Sequence, residues 1–295
     1  MNMKEKNELG IFFAYWLRNW GEADLSELTV RASNLGFDVL GLHSDVVMDL
    51  SPKERDKLRE TGREEGIEFT FCTGLSEEND ISSPDPQARK AGIEHLQKSI
   101  EMIADLGGDT FSGIIHGSWG LPAEGGMVDK PAYLERSIES MRQVVKTAEE
   151  QGVCCNVEVV NRFENFMINT CEEALEYIEA VDSPNMKMLL DTYHMNIEED
   201  SLKEAIVEAG DQLGHFHVGE NNRKPPGQGG HIDWDGVFEG LREIDYEGKI
   251  VMEPFLLSGG DVASDIMTWR DMAEKDELDE KARKARAFIE GKLQG

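Results

Sequence analysis

Eight short β-type runs, each followed by a stretch with helical spacing, succeed one another along the whole of this chain. The strand candidates are GIFFAYW (10–16), DVLGLHS (38–44), EFTFCTG (68–74), TFSGIIHG (110–117), CCNVEVVN (154–161), MKMLLDTY (186–193), GHFHVGE (214–220) and KIVMEPF (249–255). Amphipathic runs lie between them, among them DLSELTVRASNLG (24–36), SPKERDKLRETGREEG (51–66) and PAYLERSIESMRQVVKTAEEQG (131–152). Gly36, Gly66 and Gly152 close such runs. Glycine is expected there because it enters left-handed backbone without a steric penalty. Ser51-Pro52 reads as an N-cap followed by proline in the first turn. A helix after every strand favours parallel strands, because each crossover returns the chain to the same end of the sheet. Eight such units predict a (β/α)8 TIM barrel, one domain over residues 1–295, a length that suits the typical ~250 residues plus insertions. An open doubly wound sheet is the alternative. It usually carries a Gly-rich dinucleotide loop after its first strand, where this chain has YWLRNWG.

The charge balance narrows the partners. Fifty-nine acidic against 30 basic residues give a net charge of −29. Phosphate backbones and anionic membrane surfaces need a positive face, so neither nucleic acid nor membrane is expected as a partner. EEQ, EEGIE and EKDELDEKARKARAFIEGK read as solvated helix faces. No apolar run reaches the about 18–20 residues of a membrane span, and the opening MNMKEKNELG has no apolar leader core. The four cysteines, Cys72, Cys154, Cys155 and Cys171, show no CxxC spacing. A cytoplasmic location is the expectation.

Metal-type ligands stand near the ends of the last four strands: Glu158 in NVEVVN, Asp191 in MLLDTYH, His217 in GHFHVGE and Glu253 in IVMEPF. Active sites of such barrels lie at that C-terminal face. One carboxylate among apolar neighbours could be a structural ion pair. Four ligand-type residues on consecutive strands, with no interior Lys or Arg evident to pair them, argue for a divalent cation instead. Three converging carboxylates repel one another without one. Three oxygen ligands and one imidazole suit Mn²⁺, Mg²⁺ or Co²⁺ and not a thiolate-rich zinc site. His215 shares a face with His217 and reads as a deeper, hydrogen-bonded support. His194 lies just past a strand, Arg223 in the loop ENNRKPPGQGG, and Glu164 at the end of NRFE. Each is either a solvated loop residue or a substrate contact on the catalytic face. His43, His95 and His231 carry no clear signal.

VEVVNRFEN, LLDTYHMNIEED, GHFHVGENNR and VMEPF closely resemble the ketose 3-epimerases, the D-tagatose and D-psicose (D-allulose) types. FFAYW, SSPDPQARKAG and SDIMTWRDM also look like that family, so the resemblance runs from about residue 10 to the C-terminal helix. It implies a xylose-isomerase-like TIM barrel, one divalent ion per subunit with Mn²⁺ expected and Co²⁺ or Mg²⁺ as alternatives, and a homodimer or homotetramer. By motif, Glu158, Asp191, His217 and Glu253 match the metal ligands, and Glu158 and Glu253 also match the catalytic acid/base pair. Glu164, His194 and Arg223 match residues that hold the sugar near its reacting end. Trp119, in HGSWG, matches an aromatic wall. The family often has Tyr at the position of Phe12 and Glu at that of Gly41, and Cys72 falls where a small pocket residue is expected. These departures bear on sugar preference.

The implied activity is epimerisation of free ketohexoses at C3 (D-fructose/D-psicose, D-tagatose/D-sorbose) through a C2–C3 enediolate. Competing readings are an aldose–ketose isomerase, an endonuclease-IV-like repair enzyme, which the charge disfavours, and a non-catalytic metal-dependent sugar-binding protein.

Overall fold

Eight parallel strands close on themselves in chain order: β1 (Leu9–Phe12), β2 (Val39–His43), β3 (Glu68–Leu75), β4 (Thr110–Ser118), β5 (Cys154–Val159), β6 (Met186–Asp191), β7 (Leu213–Val218) and β8 (Ile250–Met252). β1 pairs with both β2 and β8, which completes the ring. This computed structural model describes residues 7–120 and 128–295; residues 1–6, part of the stretch read for a leader, lie outside the described residues. The helices around the barrel are α1 (Leu25–Asn34), α2 (Ser44–Met48), α3 (Pro52–Glu65), α4 (Pro86–Asp105), α5 (Lys130–Gln151), α6 (Cys171–Val181), α7 (Thr192–Glu198), α8 (Leu202–Ala209), α9 (Trp234–Glu243), α10 (Asp261–Asp265) and α11 (Leu278–Gln294). No helix among the described residues is long and apolar enough to cross a membrane.

Local chemistry sets the element ends. Ser51 and Glu54 form a reciprocal capping box before Pro52, which satisfies two backbone donors that a helix start otherwise leaves open. Gly66 and Gly152 end α3 and α5 in left-handed backbone, at φ 67° and 72°. Along each strand alternate residues face outward, and Leu40, Leu42, Val157 and Phe216 are fully buried there beneath the helices. The other face turns into the barrel, and near its C-terminal end it becomes polar.

Two strand expectations need correction. Only the first residues of GIFFAYW are strand; Phe13–Trp16 form a 3-10 turn. An all-apolar run has no period to tell a strand from a buried helical turn. Tertiary bonds decide here: Tyr15 Oη donates to the Leu278 carbonyl at 2.8 Å and Trp16 Nε1 to Asp279 Oδ1 at 3.0 Å. They tie the first strand to α11. The run MKMLLDTY stops at Asp191, whose Oδ1 accepts the Tyr193 backbone N–H at 2.9 Å and caps α7.

Helix packing leads to a prediction about sign. Gly92 in α4 lies so close to the preceding loop that a Cβ would sit 2.0 Å from the Asn79 carbonyl oxygen, whereas a Cβ on Gly291 in α11 meets nothing within 4 Å. Helix propensity alone favours alanine at both by ~1 kcal/mol. Gly291→Ala should raise the urea midpoint by that order. Gly92→Ala should lower stability by about 1–3 kcal/mol through overpacking. A raised midpoint in Gly92→Ala would contradict the packing described.

Candidate active site

Strand register brings four side chains to one point at the C-terminal mouth. Glu158 is on β5, Asp191 ends β6, His217 is on β7 and Glu253 follows β8. Each offers one ligand atom, and these atoms all lie within 4.8 Å of one another. His217 Nδ1 is buried with no hydrogen-bond partner among the described residues and stands 3.8 Å from Glu253 Oε1. An orphaned imidazole nitrogen facing carboxylates is a donor set that suits a cation. The cluster could therefore hold a divalent metal ion.

The electrostatics agree. Burial, with Glu253 and Asp191 beside it, holds the Glu158 carboxyl well above its ordinary range. Burial also pushes Glu253 up to about 8, against the pull of Arg223. Burial, then His215 and Arg223, depress His217 far below its usual value, so the ring is neutral and one of its nitrogens has a lone pair free for a metal.

Arg223 corrects one expectation outright: the interior does hold a cation. The side chain is buried, and its Nη1 donates to Asp191 Oδ2 at 3.1 Å and Glu253 Oε2 at 3.2 Å. Its guanidinium stacks on Tyr193, 3.7 Å from the ring centroid. Burial opposes its charge, but Asp191, Glu253 and Glu164 outweigh that and keep it fully ionised. The loop that carries it is tightly tied. Arg223 adopts left-handed backbone at φ 61°. Its N–H donates to the Glu220 carbonyl at 2.9 Å and its own carbonyl accepts from Phe255 at 3.0 Å.

His194 is likewise no solvated loop residue. It lies buried in α7, with Nε2 3.5 Å from Glu158 Oε1. The Asn161 backbone N–H donates to its Nδ1 at 3.2 Å, and Asn161 Nδ2 lies 2.8 Å from the same atom. With donors on Nδ1, the proton of the neutral ring belongs on Nε2, which faces both Glu158 Oε1 at 3.5 Å and Arg223 Nη2 at 3.4 Å. Burial and the neighbouring Arg223 bring its pKa down to about 3. Glu164 accepts from Asn161 Nδ2 at 3.1 Å and from Trp119 Nε1 at 3.2 Å. Asn161 thus joins His194 to Glu164. Its position inside VNRFEN was the available signal.

Phe12, Cys72, Trp119, Glu164, His194 and Arg223 all line one cavity with Glu158 and Glu253, about 450 Å³ including its open mouth. Trp20, His43, Thr73 and Phe255 also line it and were not singled out from sequence. His215 does not serve as a hydrogen-bonded support. Both its ring nitrogens are buried without partners among the described residues, and it packs edge-on to His217 with centroids 4.9 Å apart.

Comparison with known proteins gives the lineage. The xylose isomerase-like TIM barrel family matches residues 30–287. The D-psicose 3-epimerase of Ruminiclostridium cellulolyticum is 40% identical over 282 residues, which cover 95% of each chain. That of Agrobacterium fabrum is 36% identical over 282 residues, 95% of this chain and 96% of the other. The crystal structure of D-psicose 3-epimerase with D-tagatose from Clostridium cellulolyticum superposes with a TM-score of 0.94 at 40% identity, covering 98% of this chain and 100% of that one.

This chain belongs to the ketose 3-epimerase family. It is therefore an isomerase, on the closed eight-stranded barrel that the family shares. In this epimerase the polar groups at the mouth crowd one half of the ring, β5 to β8, while β1 to β3 contribute Phe12, His43, Cys72 and Thr73.

Two measurements test the cation reading. Mn²⁺ added to chelator-treated protein should raise Tm, because a ligand bound only by the folded state stabilises it, by about 2.7 kcal/mol at a hundred times Kd. His217→Ala should abolish the rise. Ion uptake at pH 7 should release protons, because a carboxyl held at about 8 is largely protonated there and must ionise to bind. The release should shrink as pH rises past about 8. Calorimetry in buffers of different ionisation enthalpy reads it, and uptake with no proton release would contradict the electrostatics described.

Proposed function

We propose that this protein is a metal-dependent epimerase of free ketohexoses at C3, interconverting D-fructose with D-psicose and D-tagatose with D-sorbose. The observation that carries the reading is the pair Glu158 and Glu253. Two carboxylates with elevated pKa flank one buried cation site from strands separated by β6 and β7. The solved relative bound to D-tagatose supports a sugar of this size in the cavity.

The chemistry follows from the residues. The hydrogen on C3 of a ketose is acidic because it lies α to the C2 carbonyl. One glutamate removes it from one face, leaving a C2–C3 enediolate. The other glutamate delivers a proton to the opposite face and inverts the centre. A carboxyl whose pKa is raised suits both roles, since it must hold and release a proton in one cycle. His194, through Nε2–H, and Arg223 hydrogen-bond the oxygens near the carbonyl. Trp119 and Asn161 hold Glu164 beside them. Glu158, Asp191, His217 and Glu253 would hold the ion, with Mn²⁺ the expected one and Co²⁺ or Mg²⁺ able to replace it. When bound, it supplies Lewis-acid stabilisation of negative charge on the sugar oxygens. A cytoplasmic homodimer or homotetramer completes the proposal.

Glu158→Gln and Glu253→Gln keep side-chain size and remove basicity. Each should lower turnover of D-psicose beyond the ~10²–10⁴ of a single acid–base group, because each also weakens the cation site. Chromatography of the products reads this directly. Near-normal turnover in either variant, with metal content confirmed, would contradict the opposed-carboxylate reading. Phosphorylated ketoses should be poorer substrates than free ones by more than about tenfold, since Arg223 is the one arginine or lysine of the cavity lining among the described residues and is already paired with carboxylates.

A further inference from the structure

The cavity has a second polar wall that the reacting groups do not use. The cluster and its neighbours come from β5 to β8, whereas His43 ends β2, which stands opposite β6 in a ring closed in chain order. His43 lines the cavity with Trp20, Cys72 and Thr73. Cys72 is its register partner on β3. Burial first, then the charges of Glu253, Glu158 and Asp45, raise the Cys72 thiol.

The donor and acceptor pattern of this wall is fixed. The Asp45 backbone N–H donates to His43 Nδ1 at 3.4 Å as the cap of α2. The neutral ring therefore carries its proton on Nε2. Trp20 packs against the imidazole with centroids 5.5 Å apart, and Trp20 Nε1 is anchored on Asp265 Oδ2 at 2.8 Å. Thr73 Oγ1 donates to Asp45 Oδ1 at 3.4 Å, and the same oxygen stands 3.0 Å from His95 Nε2. Thr73 follows inward-facing Cys72 on β3, so its side chain points outward, to Asp45 of α2 beside His95 of α4. The polar hydrogen of this wall is therefore His43 Nε2–H, and a sugar hydroxyl, whose oxygen accepts, complements it.

A ketose whose carbonyl end is held at β5 to β8 must lay its remaining carbons across the barrel. We propose that His43 forms a specificity subsite that reads the terminal C6 hydroxyl of a ketohexose. The inference rests on the ketose reading above and assigns the far end of that same cavity. The Asp45 carboxylate beside it makes the subsite hostile to a phosphate ester at that position.

The test compares kcat/KM of the metal-loaded, full-length enzyme on D-psicose and on 6-deoxy-D-psicose. His43→Phe keeps an aromatic ring and removes the N–H. It should lose roughly three- to tenfold in kcat/KM on D-psicose, carried by KM, the size expected of one neutral hydrogen bond. On the 6-deoxy sugar it should match wild type within about twofold. His43→Asn keeps a side-chain oxygen that can cap the Asp45 N–H but withdraws the donor from the cavity, so it should show the same selective loss and the test survives if His43→Phe fails to fold. Equal losses on both sugars, or none on either, would overturn the proposal. Wild type acting on both sugars with equal kcat/KM would overturn it alone. Wild type acting on neither would overturn the ketose reading, and the subsite with it.

Discussion

Three buried carboxylates that meet within 4.8 Å cannot all stay ionised without a cation. At an effective dielectric of about 20, each like pair at that distance costs at least ~3 kcal/mol, a large share of the ~5–15 kcal/mol that holds a typical domain folded. Burial already raises both glutamates, and Arg223 offsets part of the repulsion through Asp191 and Glu253. The loop after β7 exists in its tied, left-handed form to deliver that guanidinium. One arginine reaches two of the carboxylates, and the buried His217 Nδ1 has no partner among the described residues. The cluster could therefore hold a second positive charge.

The closed barrel makes this possible because its mouth gathers the ends of strands far apart in sequence. Glu158 and Glu253 are 95 residues apart yet flank one point. Across the ring, strands β1 to β3 bring Phe12, His43 and Cys72 to the same cavity. One half of the barrel thus carries the charged groups, and the other lines the rest of the cavity.

Much of this was legible in the sequence, for a physical reason. Strand–helix alternation and helix caps are local signals, so the eight strands were placed within a few residues, except where the apolar run GIFFAYW turned into a 3-10 turn held by α11. Glu158, Asp191, His217 and Glu253 stood out because charged or ligand-type residues within apolar runs need a partner. Arg223 was noticed, but its burial was not foreseen, since a Gly/Pro-rich loop gives no sign of folding inward. His43 gave no sign because it is ordinary within its own strand; only closure of the ring sets it opposite the cluster. The support role read for His215 failed, because alternation tells which face a side chain occupies and not whether a partner waits there.

The claim that Glu158 and Glu253 exchange a proton with C3 is tested most directly by isotope. The metal-loaded enzyme is incubated with D-psicose in D₂O, and the position of deuterium in recovered and converted sugar is read by NMR. Deuterium at C3 of the epimerised product, with C1 unlabelled, is the result expected of deprotonation between two carboxylates. Product bearing deuterium at C1 or C2, or turnover that leaves C3 unlabelled, would contradict it.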